Sequence, residues 1–175
     1  MKKNGFTLIE LLATILILAL LMLVAVPNVM STIDKNKQDT YIEDAKRMVT
    51  LTEYEIRRNT NIELPTSGNC IVVKLNALDT SSLEEAPEGG VYDYNNSFVV
   101  VARSGSSYLY YVTLIENYDS GKRGINLTSR DNLNDEDARK YVVRDSEFTT
   151  NNISVGSTLQ LDGNNFTISG IVSNA

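Results

Sequence analysis

The sequence predicts an α+β fold in which one long N-terminal helix packs against a C-terminal antiparallel β-sheet head. An apolar stretch followed by an amphipathic one covers the first third of the chain, which is typical of a single long helix. β-branched and aromatic runs fill much of the remainder and alternate with Asn-, Ser- and Gly-containing turns, which is typical of antiparallel strands. Because each element has an apolar face, each is expected to cover the other.

Residues 11–26 form an uninterrupted apolar stretch. Together with residues 6–9 they supply about 20 positions, enough to span a bilayer at ~1.5 Å per residue. Lys2 and Lys3 precede the stretch and are expected to stay on the cytoplasmic side, which leaves the C-terminal bulk outside. One carboxylate, Glu10, lies near the start of the stretch, where a charge is costly in hydrocarbon. Glu10 is therefore the first candidate for a functional residue.

Two conventional interpretations of this N-terminus explain only part of it. A secretory signal peptide has an apolar run of about 7–15 residues and ends in a small-residue cleavage site. Here the run is longer and Pro27 follows it directly. A plain membrane anchor, holding a binding ectodomain that never polymerises, explains the length and the flanking charge. It explains neither Glu10 nor the junction between Gly5 and Phe6.

A third interpretation accounts for all of these features. The string from Gly5 to Leu12, GFTLIELL, resembles the class III signal of type IV pilins and pseudopilins. The resemblance implies that a prepilin peptidase cuts after Gly5, that the new N-terminal Phe6 is methylated, and that the apolar helix is retained. It further implies that Glu10 meets the Phe6 ammonium of a neighbouring subunit, where each charge makes the other tolerable and the pair sets axial register. Pro27 removes a backbone donor and is expected to kink the helix.

The same resemblance implies the pilin fold and a structural subunit, major or minor, of a type IV pilus. A pseudopilin of a type II secretion or competence DNA-uptake system is the alternative within this class. The implied partners are other pilin subunits, the prepilin peptidase, an assembly ATPase and a platform protein. The chain is expected in the cell membrane, single-pass with its C-terminus outside, and after assembly in an extracellular pilus or pseudopilus. Adhesion, motility and secretion are the roles associated with such filaments.

The predicted organisation has four parts: a leader at 1–5, a transmembrane and polymerisation helix at 6–27, the amphipathic second half of the spine helix at 28–60, and a globular antiparallel β head at 61–175. The apolar positions of the amphipathic part recur at three- and four-residue intervals and are Ile33, Tyr41, Ile42, Ala45, Met48, Val49, Thr52 and Ile56. Its opposite face is predicted to be polar and contains Asp34, Lys35, Lys37, Asp39, Glu43, Asp44, Lys46, Arg47, Glu53 and Arg57.

The strands of the head are predicted from short apolar and aromatic runs bounded by turn residues. These runs cover residues 71–75, 91–94, 97–103, 108–114, 158–161 and 166–169. Turn residues between 91–94 and 97–103 predict strand, turn and strand there, and a Gly-containing turn between 158–161 and 166–169 predicts a C-terminal hairpin. A loop is predicted at 118–124, where Ser, Gly, Lys and Arg follow one another. A short helix with an acidic first turn is predicted at 134–141.

Composition excludes several classes of function. The chain has 175 residues, no His and one Cys, so Ser-His and Cys-His catalytic pairs are impossible and an intramolecular disulfide cannot form. The formal net charge is −6, and removal of Lys2 and Lys3 takes it to −8, which argues against a general nucleic-acid-binding surface. No enzyme activity and no cofactor are predicted. Cys70 begins an apolar run and is expected to be a buried structural thiol.

Two further groups have both a functional and a structural explanation. Asp131, Asp135 and Asp137 carry hard oxygen ligands of the kind that Ca²⁺ prefers. Their spacing does not match an EF-type calcium loop, and helix capping explains them equally well. Tyr108 and Tyr110 share one face of a strand, where they would form a stacking platform for bases or sugars. Packing against the sheet is the simpler role, because the sequence near these tyrosines lacks a dense group of basic residues.

Overall fold

A computed structural model describes residues 5–83 and 85–174 of the chain. Helix α1 runs from Leu8 to Arg58 and contains Pro27, which confirms the predicted long N-terminal helix. The chain divides into two compact units, Met1–Asn36 and Lys37–Ala175. The first unit contains the apolar part of α1. The second contains the remainder of the helix and the whole sheet.

Eight strands form one sheet within the described residues. They are β1 (Asn69–Lys74), β2 (Val91–Tyr92), β3 (Phe98–Ser104), β4 (Ser107–Tyr118), β5 (Gly121–Ser129), β6 (Val142–Arg144), β7 (Thr158–Leu161) and β8 (Asn164–Val172). Their order is β6-β5-β4-β3-β1-β8-β7, and β2 pairs with β4 at its side. The α+β class is therefore confirmed, with the sheet following the helix.

The pairing is antiparallel except between β1 and β8, which run parallel. The predicted C-terminal hairpin is present as β7 and β8, and β8 then extends alongside β1. The strand at 91–94 is shorter than predicted and lies against the far end of β4 rather than against β3. β8 is far from β1 along the chain, and β2 is far from the end of β4. Local sequence therefore carries little information about these two pairings.

The prediction of a loop at 118–124 is wrong. β4 continues to Tyr118, and β5 begins at Gly121 after a two-residue turn. Gly124 lies so close to the Leu114 carbonyl of β4 that a Cβ atom could not be placed between them. The register between the two strands shifts next to this point. A glycine is needed where two backbones come this close beside a bulge. Because glycine has a low propensity for strands, the sequence of this part of β5 looks like that of a loop.

The short helix predicted at 134–141 is also different. The described segment contains two 3₁₀ helices, Asn132–Asn134 and Ala138–Tyr141, instead of one continuous helix. Asp137 stands at the N-cap of the second one, but its side chain makes no capping hydrogen bond there.

The sheet is buried on both faces, which explains why its central strands are continuously apolar rather than alternating. On one face, α1 packs against alternate residues of β1, β3 and β4. The fully buried members of this core include Tyr41, Ala45, Met48, Val49, Ile71, Val73, Val99, Val101, Val112 and Leu114. On the other face, side chains of β1, β3 and β4 form a second buried cluster with those of β7 and β8, which belong to the same sheet. Its members are Cys70, Val72, Phe98, Val100, Ala102, Tyr111, Leu159, Leu161, Phe166 and Ile168.

The predicted apolar stripe of the helix is confirmed from Tyr41 to Thr52, where its members are buried. Ile33 differs, because its side chain is 45% exposed. Asp44 also differs: it belongs to the predicted polar face, yet it is completely buried.

Candidate functional site

The N-terminal segment around Gly5, Phe6 and Glu10 is the candidate site. Residues 5–7 are not helical, and α1 begins at Leu8. The Phe6 side chain is 86% exposed. Lys2 and Lys3 lie outside the described residues.

The Glu10 carboxylate binds back to the residue that precedes the helix. The Thr7 backbone N–H donates to Glu10 Oε2 at 2.8 Å, and the Thr7 hydroxyl donates to the same oxygen at 2.8 Å. In return, the Glu10 N–H donates to Thr7 Oγ1 at 3.3 Å. Thr7 is thus the N-cap and Glu10 is the third helical residue of a capping box, in which side chains satisfy backbone donors that the first turn leaves unpaired.

The role of Thr7 was not predicted from the sequence. The signal for it was present, because Thr and Glu three residues apart before an apolar run are the sequence signature of a capping box. The exposed position of Glu10 at the helix start agrees with the favourable interaction between a carboxylate and the N-terminal end of a helix dipole.

The apolar part of α1 is exposed. α1 contains a stretch that is long and apolar enough to cross a membrane, and among the residues that the structure describes none of that stretch is buried. Every large apolar side chain in it is more than half exposed; they include Leu11, Leu12, Ile15, Leu16, Leu20, Leu21, Met22, Leu23 and Val26. An apolar surface of this size is typical of a membrane segment or of an interface with other subunits.

α1 continues through Pro27 without a break. One residue later, the Asn28 side-chain amide donates to the Val24 carbonyl at 3.0 Å. Thr14 and Thr32 similarly donate to backbone carbonyls of the preceding turn. The polar side chains of Thr14, Asn28 and Thr32 therefore have partners within the helix, as a hydrocarbon environment would require. The kink at Pro27 stays a prediction.

The candidate calcium ligands do not form a described metal site. Among the described residues, no group of three or more His, Cys, Asp or Glu side chains is placed to hold a metal ion. Asp137 instead pairs with Lys140 at 2.6 Å, and this contact holds the pKa of the Asp137 carboxyl below its ordinary value. Asp131 and Asp135 flank the first of the two 3₁₀ helices.

The tyrosines of β4 divide between the two faces of the sheet as predicted. Tyr108 and Tyr110 contact the core under α1, and Tyr111 belongs to the core on the other face. Each of the rings of Tyr108 and Tyr110 lies next to an arginine, which was not predicted from the sequence. Arg103 lies 5.3 Å from the centre of the Tyr108 ring, and Arg130 lies 5.0 Å from that of Tyr110. These are cation–π distances. Arg103 lies on β3 and Arg130 directly follows β5, so the basic residues come from outside β4.

Cys70 is buried as predicted. Burial raises the pKa of its thiol to about 11, so the thiol stays protonated and unreactive at neutral pH.

Two buried carboxylates in the core between α1 and the sheet were not predicted. Glu116 accepts hydrogen bonds from the Tyr41 hydroxyl and from the backbone N–H groups of Glu88 and Gly90, the last at 2.7 Å. Asp44 accepts one from the Tyr92 hydroxyl at 2.7 Å. Burial, followed by the hydrogen bond to a carboxylate, raises the pKa of both tyrosines well above its ordinary value.

The sequence held a signal for both carboxylates. Glu116 follows Val112 and Leu114 at two-residue steps, which places it on the same buried face of β4. Asp44 is three residues from Tyr41 and four from Met48, which places it on the buried stripe of the helix.

A third carboxylate, Glu88, fixes the segment before β2. It pairs with Lys37 at 2.6 Å and with the buried Arg123. Burial works to raise the pKa of the Glu88 carboxyl, but the hydrogen bonds from Lys37 and Arg123 outweigh it and lower the pKa below its ordinary value. The segment leading to Gly90 is therefore held by charged groups from the helix and from β5.

Comparison with known proteins gives one match, at the N-terminus. Residues 1–26 match the family model described as the prokaryotic N-terminal methylation motif. No curated protein and no solved structure matches the chain. The motif is the signal of type IV pilins and pseudopilins, which confirms the resemblance inferred from residues 5–12. It supports a pilin-like or pseudopilin precursor, and a motif of this kind indicates a structural subunit.

Proposed function

We propose that this chain, which carries the N-terminal signal of type IV pilins and pseudopilins, is the precursor of a structural subunit of a type IV pilus. The single observation that carries the proposal is the coincidence of that signal with an uncovered apolar helix. A helix with no cover in its own chain needs lipid or neighbouring helices around it. A filament subunit uses both in turn.

Processing would remove residues 1–5. A prepilin peptidase would hydrolyse the peptide bond between Gly5 and Phe6, so that the Gly5 carbonyl takes up the hydroxyl of water and the Phe6 nitrogen takes up a proton. Methylation of the Phe6 amine would follow, in which a methyl donor supplies the carbon and the nitrogen releases a proton. The non-helical backbone of residues 5–7 supports this step, because a peptide bond outside a helix is accessible to a protease.

Before assembly the processed chain would lie in the cell membrane with its C-terminus outside, through the helix of residues 6–27. An assembly ATPase and a platform protein would then move it into a bundle with other pilin subunits. Residues 28–60 would continue the spine, bent at Pro27, and residues 61–175 would form the outer surface of the filament.

Glu10 would set the axial register of the filament. Its carboxylate would pair with the Phe6 ammonium of a neighbouring subunit in the dry core of the bundle. A subunit displaced by one turn would leave both charges unpaired, which is far more costly than the pairing itself is favourable. The exposure of Glu10 at the helix start supports this role, because the carboxylate is accessible to a second chain.

Mass spectrometry of the protein from producing cells tests the processing step. We expect a mature chain that begins with methylated Phe6. An intact Met1 would overturn the proposal and favour a plain membrane anchor. Deleting Gly5 and Phe6 together is the matched comparison, since it should leave an unprocessed, unassembled precursor if the proposal holds and should change nothing in a tethered ectodomain.

Assembly is tested by substituting Glu10→Gln, which keeps the size of the side chain and removes its charge. We expect subunits that remain in the membrane fraction and enter sheared filaments far less than the wild type does. Entry of Glu10→Gln subunits at the normal rate would contradict the register role. Recovery of the wild-type protein in sheared surface filaments would favour the pilus over a secretion or DNA-uptake pseudopilus, which is the alternative that shares the same signal.

A further inference from the structure

The helix begins two residues after Phe6, at Leu8, a position that the Thr7–Glu10 capping box determines. Three hydrogen bonds close the box, and the Leu11 N–H adds a fourth by donating to the Thr7 carbonyl at 3.1 Å. A residue that acts as N-cap takes a non-helical backbone conformation. The box therefore stops the helix at Leu8 and leaves the peptide bond between Gly5 and Phe6 outside it.

Without this stop, the helix would be expected to extend toward its N-terminus. In apolar surroundings an unpaired backbone N–H is costly, so the first turn gains by adding hydrogen bonds whenever no cap satisfies its donors. Such an extension would draw Phe6 into the helix. Its backbone would then be fixed in a conformation that a protease must first unfold.

We propose that Thr7 and Glu10 are positioning residues for removal of the leader: their capping box keeps the Gly5–Phe6 peptide bond in non-helical backbone where the peptidase can hydrolyse it. This inference rests on the proposed cleavage after Gly5. It gives Glu10 two successive roles, one in its own chain before cleavage and one toward a neighbouring subunit after it.

The two roles need different chemistry, so they can be separated. A capping box accepts Gln in place of Glu, because the side-chain oxygen of either residue can accept the N-cap N–H. Pairing with an ammonium needs the negative charge. Within residues 5–174, the hydrogen bonds of the Glu10 side chain are made by Oε2, so Oε1 can accept a neighbour's ammonium while the box stays closed.

The test measures the initial rate of leader removal from full-length precursor in detergent micelles with purified prepilin peptidase, followed by mass. Thr7→Ala and Glu10→Ala each break the box and are expected to slow cleavage about five-fold, the effect of an N-cap of ordinary strength. Thr7→Ser and Glu10→Gln keep the box and are expected to stay within about two-fold of the wild type. Thr14→Ala is the matched control, because its hydroxyl bonds to the Leu11 carbonyl of the same helix and takes no part in capping.

Equal rates for Glu10→Gln and Glu10→Ala, whether both fast or both slow, would overturn the capping role and leave the proposed filament function standing. A wild-type precursor that the peptidase leaves uncut would overturn both. A second measurement reads the structure directly: the NMR Cα chemical shift of Phe6 in micelles should be non-helical in the wild type and should move toward helical values in Thr7→Ala. An unchanged shift in that variant would also overturn the inference.

Discussion

Tyr92 and Tyr94 are two residues apart on the chain and have opposite environments. Tyr92 is buried, and its hydroxyl donates to the fully buried Asp44. Its ring meets that of Tyr41 edge-on, with 6.5 Å between the ring centres. Tyr94 is 45% exposed, and among the described residues its hydroxyl makes a long contact of 3.5 Å with the Thr80 hydroxyl. The contribution of a tyrosine hydroxyl to the stability of this protein thus depends on whether it donates a hydrogen bond to a buried carboxylate.

The pair gives a prediction for single hydroxyl groups. Tyr92→Phe leaves the Asp44 carboxylate with one donor fewer in the core and is expected to lower the free energy of unfolding by about 1–3 kcal/mol. Tyr94→Phe is the matched control and is expected to change it by less than about 0.5 kcal/mol. The measurement is denaturant unfolding of the full chain in mild detergent, followed by the near-UV circular dichroism of its tyrosines. Equal effects of the two changes would contradict the assigned role of Tyr92.

At the scale of elements, β5 shows where local sequence misleads. The stretch from Gly121 to Gly124 has turn-like residues and is nevertheless a strand, because it pairs with the long β4 along its whole length. β5 differs in this respect from the elements that were predicted correctly, which are the helix and the strands β1, β3, β4, β7 and β8. Each has a strong period or a continuous apolar run of its own, so each could be found without knowledge of its partners.

Gly124 gives a prediction for this element. An added Cβ would collide with the Leu114 carbonyl of β4, and backbone cannot move aside as a flexible side chain can. Gly124→Ala is expected to lower the free energy of unfolding by about 2 kcal/mol or more. Gly170→Ala is the control, since its Cβ would meet only Ile71 Cγ2 at 3.6 Å, an ordinary contact. In the same unfolding measurement, a tolerated Gly124→Ala would show that β4 and β5 are not so closely paired.

At the scale of the whole molecule, the charged groups around Glu88 make the second compact unit sensitive to acid. The pKa values of Glu88 and Asp93 are both lowered in the folded protein. For each group, burial opposes the shift. Hydrogen bonds from Lys37 and Arg123 to Glu88, and from Asn96 and Asn117 to Asp93, outweigh it. A carboxyl whose folded pKa lies below its unfolded pKa contributes stability above the unfolded pKa, and this contribution is lost as the pH falls through the folded pKa.

The free energy of unfolding is therefore expected to be level near neutral pH and to decline below about pH 4.5, the ordinary pKa of a glutamate. Glu88→Gln leaves the buried Arg123 without this carboxylate and is expected to cost about 3 kcal/mol at pH 7. That difference should shrink as the pH falls, because the wild type loses the same charge by protonation. The exposed Glu43→Gln is the control. A difference between wild type and Glu88→Gln that stays constant from pH 7 to pH 3 would contradict the role of the Glu88 charge.

The long helix, its membrane-length apolar stretch and the signal around Gly5, Phe6 and Glu10 could all be found from the amino-acid sequence alone. These features are local: their information lies in spacing along a few turns of chain, which is read without knowing what the chain contacts. The capping partner Thr7 was equally local and was available in the same string.

The construction of the head depends on tertiary contacts. The parallel pairing of β8 with β1 and the contact of Arg130 with Tyr110 join residues that are far apart on the chain. The strand β5 is formed by its pairing with β4 despite turn-like residues of its own, and Arg103 reaches Tyr108 only because β3 and β4 pair. The buried carboxylates Asp44 and Glu116 are tolerated only because donors from other elements reach them. A carboxylate without such donors would stay in solvent, so its burial is decided by the contacts that the completed fold supplies.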